Sequence, residues 1–210
     1  TELITGHDLV ELMIKVAAGE ELSFGQEDVK LKGWALEARV YAEDPLRNFL
    51  PSTGRIVRYK SPKETHNVRV DTGVFEGGDI SIYYDPMIAK LITYGADRSE
   101  AIKHMRSALD AYYIRGVNHN IGFLSALVAH SRFQSGNMTT NFIAEEYPKG
   151  FNPKDLPIED PIVQIIVAAS IHHAYQERAA SISAQIAGNE RKVDPHWVVV
   201  AKHVSQPVTV

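Results

Sequence analysis

"MIAKLITYGADRSEAIKHMRSALDAYY", residues 87–113, changes its period halfway along, and that change decides the fold. Residues 87–95 are almost continuously apolar, as a strand at the centre of a sheet is. Beyond Gly95, Asp97 and Glu100 form a capping-box pattern, and Ala101, Ile102, Met105, Ala108, Leu109 and Tyr112 recur at helical spacing. The segments before this stretch read as strands and those after it as helices. Sheet first and helices after is the order of an α+β domain, an antiparallel sheet with helices packed on it, and not of a doubly wound one.

Upstream, "GWALEARVYAEDP" (33–45) alternates strictly and ends at a proline. Trp34, Leu36, Ala38, Val40 and Ala42 take one face, and Glu37, Arg39, Tyr41 and Glu43 the other. "RIVRY" (55–59) follows a "PSTG" turn as a second strand, and "NVRVDTG" (67–73) alternates again before the turn "EGGD" (76–79). With residues 87–95 these make four strands joined by short connections, which predicts an antiparallel sheet. Ahead of them, Leu9, Val10, Leu12, Met13, Val16 and Ala17 predict an amphipathic helix over 7–18, with Thr5 as its cap and Gly19 as its left-handed stop.

Downstream, helices fit 120–130 and 139–146, and 147–159 reads as a linker rich in proline and glycine. Asp160 then caps a helix with Pro161 at its first position, and its pattern runs without a breaker to Gly188. "IVQIIVAASI" (162–171) is too short to cross a membrane and reads as a buried helix segment. "HWVVVAKHV" near the end alternates as one more strand, as though a second domain were just beginning.

Composition narrows the function classes. Lysine and arginine number 22 against 26 acids, a net charge of −4, so no overall basic field draws in nucleic acid or an anionic membrane. An apolar share of 44% suits a globular chain with a real core. There is no cysteine, which excludes disulfides and thiolate zinc sites. The N-terminus lacks the basic and apolar regions of a secretory signal, so the chain is not expected to be secreted. It also lacks an initiator methionine, which fits a chain that starts inside a longer polypeptide. No P-loop, G-x-G-x-x-G after a strand, G-x-S-x-G elbow or H-E-x-x-H is present. His172 and His173 point about 100° apart on one helix, poor geometry for sharing a metal, and no metal site is expected.

Arg39, between two acids on one strand face, has two readings: a solvated outer face with cross-strand ion pairs, or a cation that waits for a ligand. Asp85, in "YYDPM" at the start of the central strand, is a turn aspartate packed beside tyrosines, or a carboxylate that orients a guanidinium able to stabilise an oxyanion. Arg69 is a strand-surface cation or an interface anchor. Spacing leaves these alternatives open.

"TELITGHDLVELMIKVAAGE", "ARVYAEDP", "FLPSTGRI", "VRVDTGV", "YYDPMIAKLI", "HNIGFL" and "TTNFIAEEYPKGF" occur in an order and spacing that closely resembles the C-terminal part of the biotin carboxylase component of biotin-dependent acyl-CoA carboxylases. The resemblance covers residues 1 to about 151. Within the family, "IRGVNHNIGFLSALVAHSRF" and "FIAEEYPKGF" are most similar to the propionyl-CoA carboxylase α subunits. It implies a parent enzyme that uses ATP, Mg2+ and bicarbonate to carboxylate biotin at N1′, with a fixed cation beside the ureido oxygen lowering the barrier. The family arginine with that role falls on Arg39, which would stabilise the enolate. Asp85 falls beside the biotin pocket, Phe142 beside the adenine, and Arg69 at the dimer interface of stand-alone biotin carboxylases.

The same resemblance implies that the ATP lid, the nucleotide lysines and the metal-binding carboxylates lie upstream of Thr1. No A-M-K-M biotinylation motif is present, so biotin would be carried elsewhere, on a biotin carrier domain. The implied organisation is 1–30 as the tail of the ATP-grasp region, 31–151 as the biotin carboxylase C-terminal domain, and 152–210 as a long helix and the start of a β-barrel docking domain. That last part would dock on the carboxyltransferase β subunit through an apolar stripe that includes Ile162, Ile165, Ile166, Ala169 and Ile171, or would pack only within its own chain. The compartment implied is the cytoplasm in a bacterium and the mitochondrial matrix in a eukaryote. Two function classes follow: an inert piece of an enzyme subunit that supplies one pocket wall, or a non-catalytic module that docks on a partner.

Overall fold

The computed structural model describes residues 1–157, 160–182 and 193. The chain divides into two compact units, Thr1–Pro157 and Ile158–Val210. In the first, helices α1 (Glu2–Thr5) and α2 (Leu9–Ala17) precede strands β1 (Trp34–Tyr41), β2 (Glu43–Asp44), β3 (Leu50–Pro51), β4 (Gly54–Arg55) and β5 (Arg58–Lys60). Strands β6 (Val68–Thr72), β7 (Asp79–Ile80) and β8 (Met87–Gly95) lead to helix α3 (Arg98–Asp110). Strand β9 (Tyr113–Arg115) and helices α4 (Ile121–Ala129), α5 (Ser131–Ser135) and α6 (Phe142–Glu146) complete the unit, and α7 (Pro161–Ala180) belongs to the second.

The main sheet is antiparallel, with β8 hydrogen-bonded between β1 and β6. Its apolar sequence earns that central place. Ala38, Val40, Ala89 and Leu91 form one dry face, and Ala101, Ile102, Met105, Ala108 and Leu109 of α3 cover it as their periodicity predicts. Thr93 is buried among them because its hydroxyl donates to the Ala101 carbonyl at 2.9 Å, which satisfies its polar group. Asp97 caps α3 by accepting from the Glu100 amide at 2.8 Å. The return bond of the predicted capping box shifts by one residue, from the Ala96 amide to Glu100, at 2.6 Å.

Several expectations are corrected. The four-stranded sheet is three-stranded, because "RIVRY" splits between two ribbons: Arg55 pairs with Asp79, and Arg58–Lys60 pairs with Tyr113–Arg115. Ile56, wholly buried between the ribbons, forces the break by turning into the core. Gly116 allows the crossing, since at φ +107° a Cβ there would stand 2.1 Å from the Arg55 carbonyl. The cap of α2 is Asp8, which accepts from the Glu11 amide at 2.9 Å; Thr5 ends α1 instead. Gly19 does take the left-handed conformation past the end of α2, at φ +87°. The start of the predicted linker is not free: Tyr147 and Phe151 pack edge-on against Phe123, at 5.5 and 5.6 Å between centroids.

Asp160 caps α7 through the Ile162 amide at 2.9 Å, but the helix ends at Ala180 rather than Gly188. Residues 162–171, expected to be a buried helix segment, are mostly exposed, with Ala169 alone among them buried. The strand expected from "HWVVVAKHV" and the barrel it would open lie outside the described residues. Among those residues, no helix is long and apolar enough to cross a membrane.

Leu91 is wholly buried at the centre of the core. Leu91→Ala is expected to lower the stability of the chain by about 2–5 kcal/mol in urea denaturation, whereas Ile82→Ala on the surface changes it by less than about 0.5 kcal/mol. Equal effects would mean that β8 is not the centre of the core.

Candidate functional site

The strict alternation of β1, β8 and β6 puts every charge of the sheet on the face away from α3. Register gives two rungs across that face: Glu37 opposite Ile92 opposite Arg69, and Arg39 opposite Lys90 opposite Asp71. Two cations, Arg39 and Lys90, therefore stand side by side, an arrangement that disfavours folding unless acids flank it. They do. Glu37 accepts from Arg39 Nε at 3.1 Å, and Asp71 borders Lys90 on its other side. Hydrogen bonds from Glu37 and then Tyr41 push the Arg39 guanidinium further up, so it is charged throughout the useful pH range. Its side chain is 56% exposed, so N–H donors remain open to a ligand.

Arg69 is held differently. Its Nε and one terminal nitrogen make a bidentate pair with Asp71 at 2.7 and 3.0 Å, and its other terminal nitrogen binds Glu2. In this chain Arg69 thus ties α1 to the sheet, a role that the strand pattern by itself did not suggest.

Asp85 and Arg39 are not brought together: no hydrogen bond or ion pair joins them. The Asp85 carboxylate accepts from the Met87 amide at 3.0 Å, as a turn aspartate does. It lies at a cleft of about 830 Å³ lined also by Asp71, Thr72, Tyr84 and Lys90, so Lys90 borders both Arg39 and this cleft. Another acid near Asp85 is Glu43, whose carboxyl is pushed up first by burial and then by the Asp85 charge. Tyr84, at the cleft, and its neighbour Tyr83 are 83% and 90% exposed, so they do not pack as the sequence suggested. A second concavity, of about 550 Å³, lies between Asp44, Arg115, His119 and Phe123 and contains neither Arg39 nor Asp85.

Phe142 is buried beneath His130, edge-on at 5.2 Å, and the Arg132 guanidinium sits 5.4 Å from its centroid. Arg132 is fixed in turn by Glu145 at 2.8 Å and by Glu146. Nothing in the local sequence signalled this cluster, because its members come from two separate segments, α5 with its cap and α6. Asn120 was missed for the same reason: it is 6% exposed and bonded to the backbone on both sides of Val40.

On α7, Ala169 is buried and Ile165 and Ile166 are half-buried, but Ile162 and Ile171 of the predicted stripe are exposed. A different row, Val163, Val167, Ile171 and Tyr175 at intervals of four, is exposed by more than half at each position. His172 lies against Gln176 and His173 against Glu177.

Comparison with known proteins adds the following. The family described as biotin carboxylase C-terminal domain matches residues 37–145, and that described as propionyl-coenzyme A carboxylase BT domain matches residues 165–210. The propionyl-CoA carboxylase alpha chain of Ruegeria pomeroyi is 50% identical over an alignment that covers 100% of this chain and 34% of that protein. The mitochondrial alpha chain of Homo sapiens is 51% identical over 85% of this chain and 25% of its own length. The chain thus spans about a third or less of these relatives. Among solved structures, the biotin carboxylase domain dimer of Hydrogenobacter thermophilus 2-oxoglutarate carboxylase, in complex with MgADP, ADP and bicarbonate, has a TM-score of 0.67 and 41% identity, over 70% of this chain and 32% of that one.

The Glu43 carboxyl is expected to titrate above an ordinary glutamate in a carbon-detected NMR titration, and Asp85→Asn to lower its midpoint partway, since burial remains. An acid raised in the folded state contributes stability that is fully present below its unfolded pKa and lost as pH rises through the folded one. An unmoved midpoint in Asp85→Asn would remove the coupling.

Proposed function

The chain belongs to the biotin carboxylase C-terminal domain family, and on that premise we propose that it is a portion of the α subunit of a biotin-dependent acyl-CoA carboxylase of the propionyl-CoA type. The observation that carries the reading is Arg39: a permanently charged guanidinium on an open sheet face, held through Nε by Glu37 with donors to spare.

Biotin, when bound, supplies a ureido nitrogen whose nucleophilicity rises as charge moves to the ureido oxygen. The donors of this wall fit that demand. Arg39 is oriented before any ligand arrives, and its planar fork hydrogen-bonds a carbonyl-type oxygen more strongly as negative charge develops there. Lys90 beside it adds a second cation to this face, and Glu37 holds Arg39 through Nε. Asp85 borders the same face from the neighbouring cleft and acts as a supporting group, not as a partner of Arg39. ATP, Mg2+ and bicarbonate are bound mainly by residues outside this stretch, with Phe142, buried beneath His130, backing the wall near the base. The isolated chain therefore does not carboxylate biotin. Arg69, committed to Glu2 and Asp71, keeps its role as an interface anchor only if a partner borders that pair.

In the full-length parent enzyme, Arg39→Ala is expected to cut biotin carboxylation by about 100-fold or more, with the assembly intact on a sizing column. An unchanged rate would remove Arg39 from the reaction.

The exposed row on α7 favours a second role for the same chain, docking on the carboxyltransferase β subunit, with the biotin carrier domain elsewhere in the parent. Val163, Val167, Ile171 and Tyr175 present an apolar ridge along a little over three turns, the pattern of a helix that lays one face into a groove. Ile165 and Ile166, half-buried, then support the helix from the other side. Val167→Asp with Ile171→Asp is expected to release the β subunit in analytical ultracentrifugation, more so than Ile165→Ala with Ile166→Ala. Retention of the complex by the aspartate variant would count against docking through this ridge.

A further inference from the structure

Asparagine is a favoured N-cap residue because its side chain accepts from the first free amides of the helix behind it. Asn120 sits at the N-cap of α4 and does not do this; no side-chain capping bond is made. Its amide group is turned into the core and spent on β1. Oδ1 accepts from the Tyr41 amide at 2.9 Å, and Nδ2 donates to the Arg39 carbonyl at 3.1 Å. The Asn120 backbone amide adds a third bond, to the Tyr41 carbonyl at 3.1 Å.

The place of these bonds matters. The ladder between β1 and β8 slips between Val40 and Tyr41, so that Tyr41 opposes Met87. A bulge loosens pairing and re-aims the side chains beside it. Arg39 and Tyr41 flank that slip, and both belong to the charged face. Asn120 supplies there the donor and the acceptor that a regular strand neighbour would have supplied, from a buried position 79 residues away in sequence.

We propose that Asn120 is a positioning residue for Arg39, fixing the β1 backbone opposite the β8 bulge so that the guanidinium is held where it acts on the bound ureido group. This rests on the reading of Arg39 given above. It predicts a requirement for one donor and one acceptor at this position, with α4 capping immaterial. Asn120→Asp keeps the size and the acceptor but replaces the donor with a second oxygen facing the Arg39 carbonyl.

The test uses the full-length parent enzyme in four forms: wild type, Arg39→Lys, Asn120→Asp and the double variant. Biotin carboxylation is measured beside bicarbonate-dependent ATP hydrolysis without biotin, a reaction in which the role proposed for Arg39 has no part. Asn120→Asp is expected to lower kcat for biotin carboxylation about 10- to 100-fold, as a displaced catalytic group does, with ATP hydrolysis within about two-fold of wild type. In the Arg39→Lys background it should cost little more, because two residues that act through one group are not additive. Multiplying losses in the double variant, or parallel losses in both activities, would overturn the proposal and leave Asn120 a merely structural residue. A wild-type rate in Arg39→Lys would instead sink the reading of Arg39, and this proposal with it. If Asn120→Asp does not fold, Asn120→Ser, smaller and able to keep one of the two bonds, is put through the same comparison with the same outcomes decisive.

Discussion

The dry face of β8 is the constraint on which the rest of the domain depends. With a strand bonded along each side and α3 across one face, β8 sets the register of both neighbours. A slip of one residue would turn Ala89 and Leu91 to solvent and bring Lys90 inward, a cost the domain cannot absorb. Because side chains alternate, the same constraint drives Glu37, Arg39, Lys90, Arg69 and Asp71 together on the opposite face. The charged face is thus a consequence of the core.

That face is cheap to keep. Its ion pairs are largely exposed, and such pairs add little to stability in water. Charges can therefore be rearranged there with little effect on folding, and Arg39 stands beside Lys90 on this face. Orientation has to come from elsewhere, and two different devices provide it. Glu37 holds the Arg39 side chain, while Asn120 holds the backbone beneath it. The contrast with Arg69 is instructive: three strong bonds bind it within its own chain and leave it structural work.

Much of this was legible in the sequence. The period change at Gly95, the two faces of β1 and the stripe of α3 all follow from local spacing, and each corresponds to an element found. What failed has a common cause. "RIVRY" looked like one strand because alternation cannot register that Ile56 points between two ribbons, and Thr5 looked like a cap until Asp8 was seen to reach the Glu11 amide. Asp85 and Arg39 were plausible partners by residue type, yet their carboxylate and guanidinium are each engaged nearer home. On α7 the spacing of isoleucines suggested one stripe, and exposure picked out another.

By itself, the sequence determined the α+β order, the central strand, the charged face of β1 and the family likeness from which the proposal for Arg39 starts. These rest on periodicity and on residue types, which act over a few positions along the chain. Only the tertiary structure decided that Arg39 stands against Lys90, that Asp85 lies near Glu43 and apart from Arg39, and that Asn120 abandons its own helix to hold β1. Those choices are made between groups far apart in sequence, where burial and the need to satisfy every buried polar atom select one partner among many.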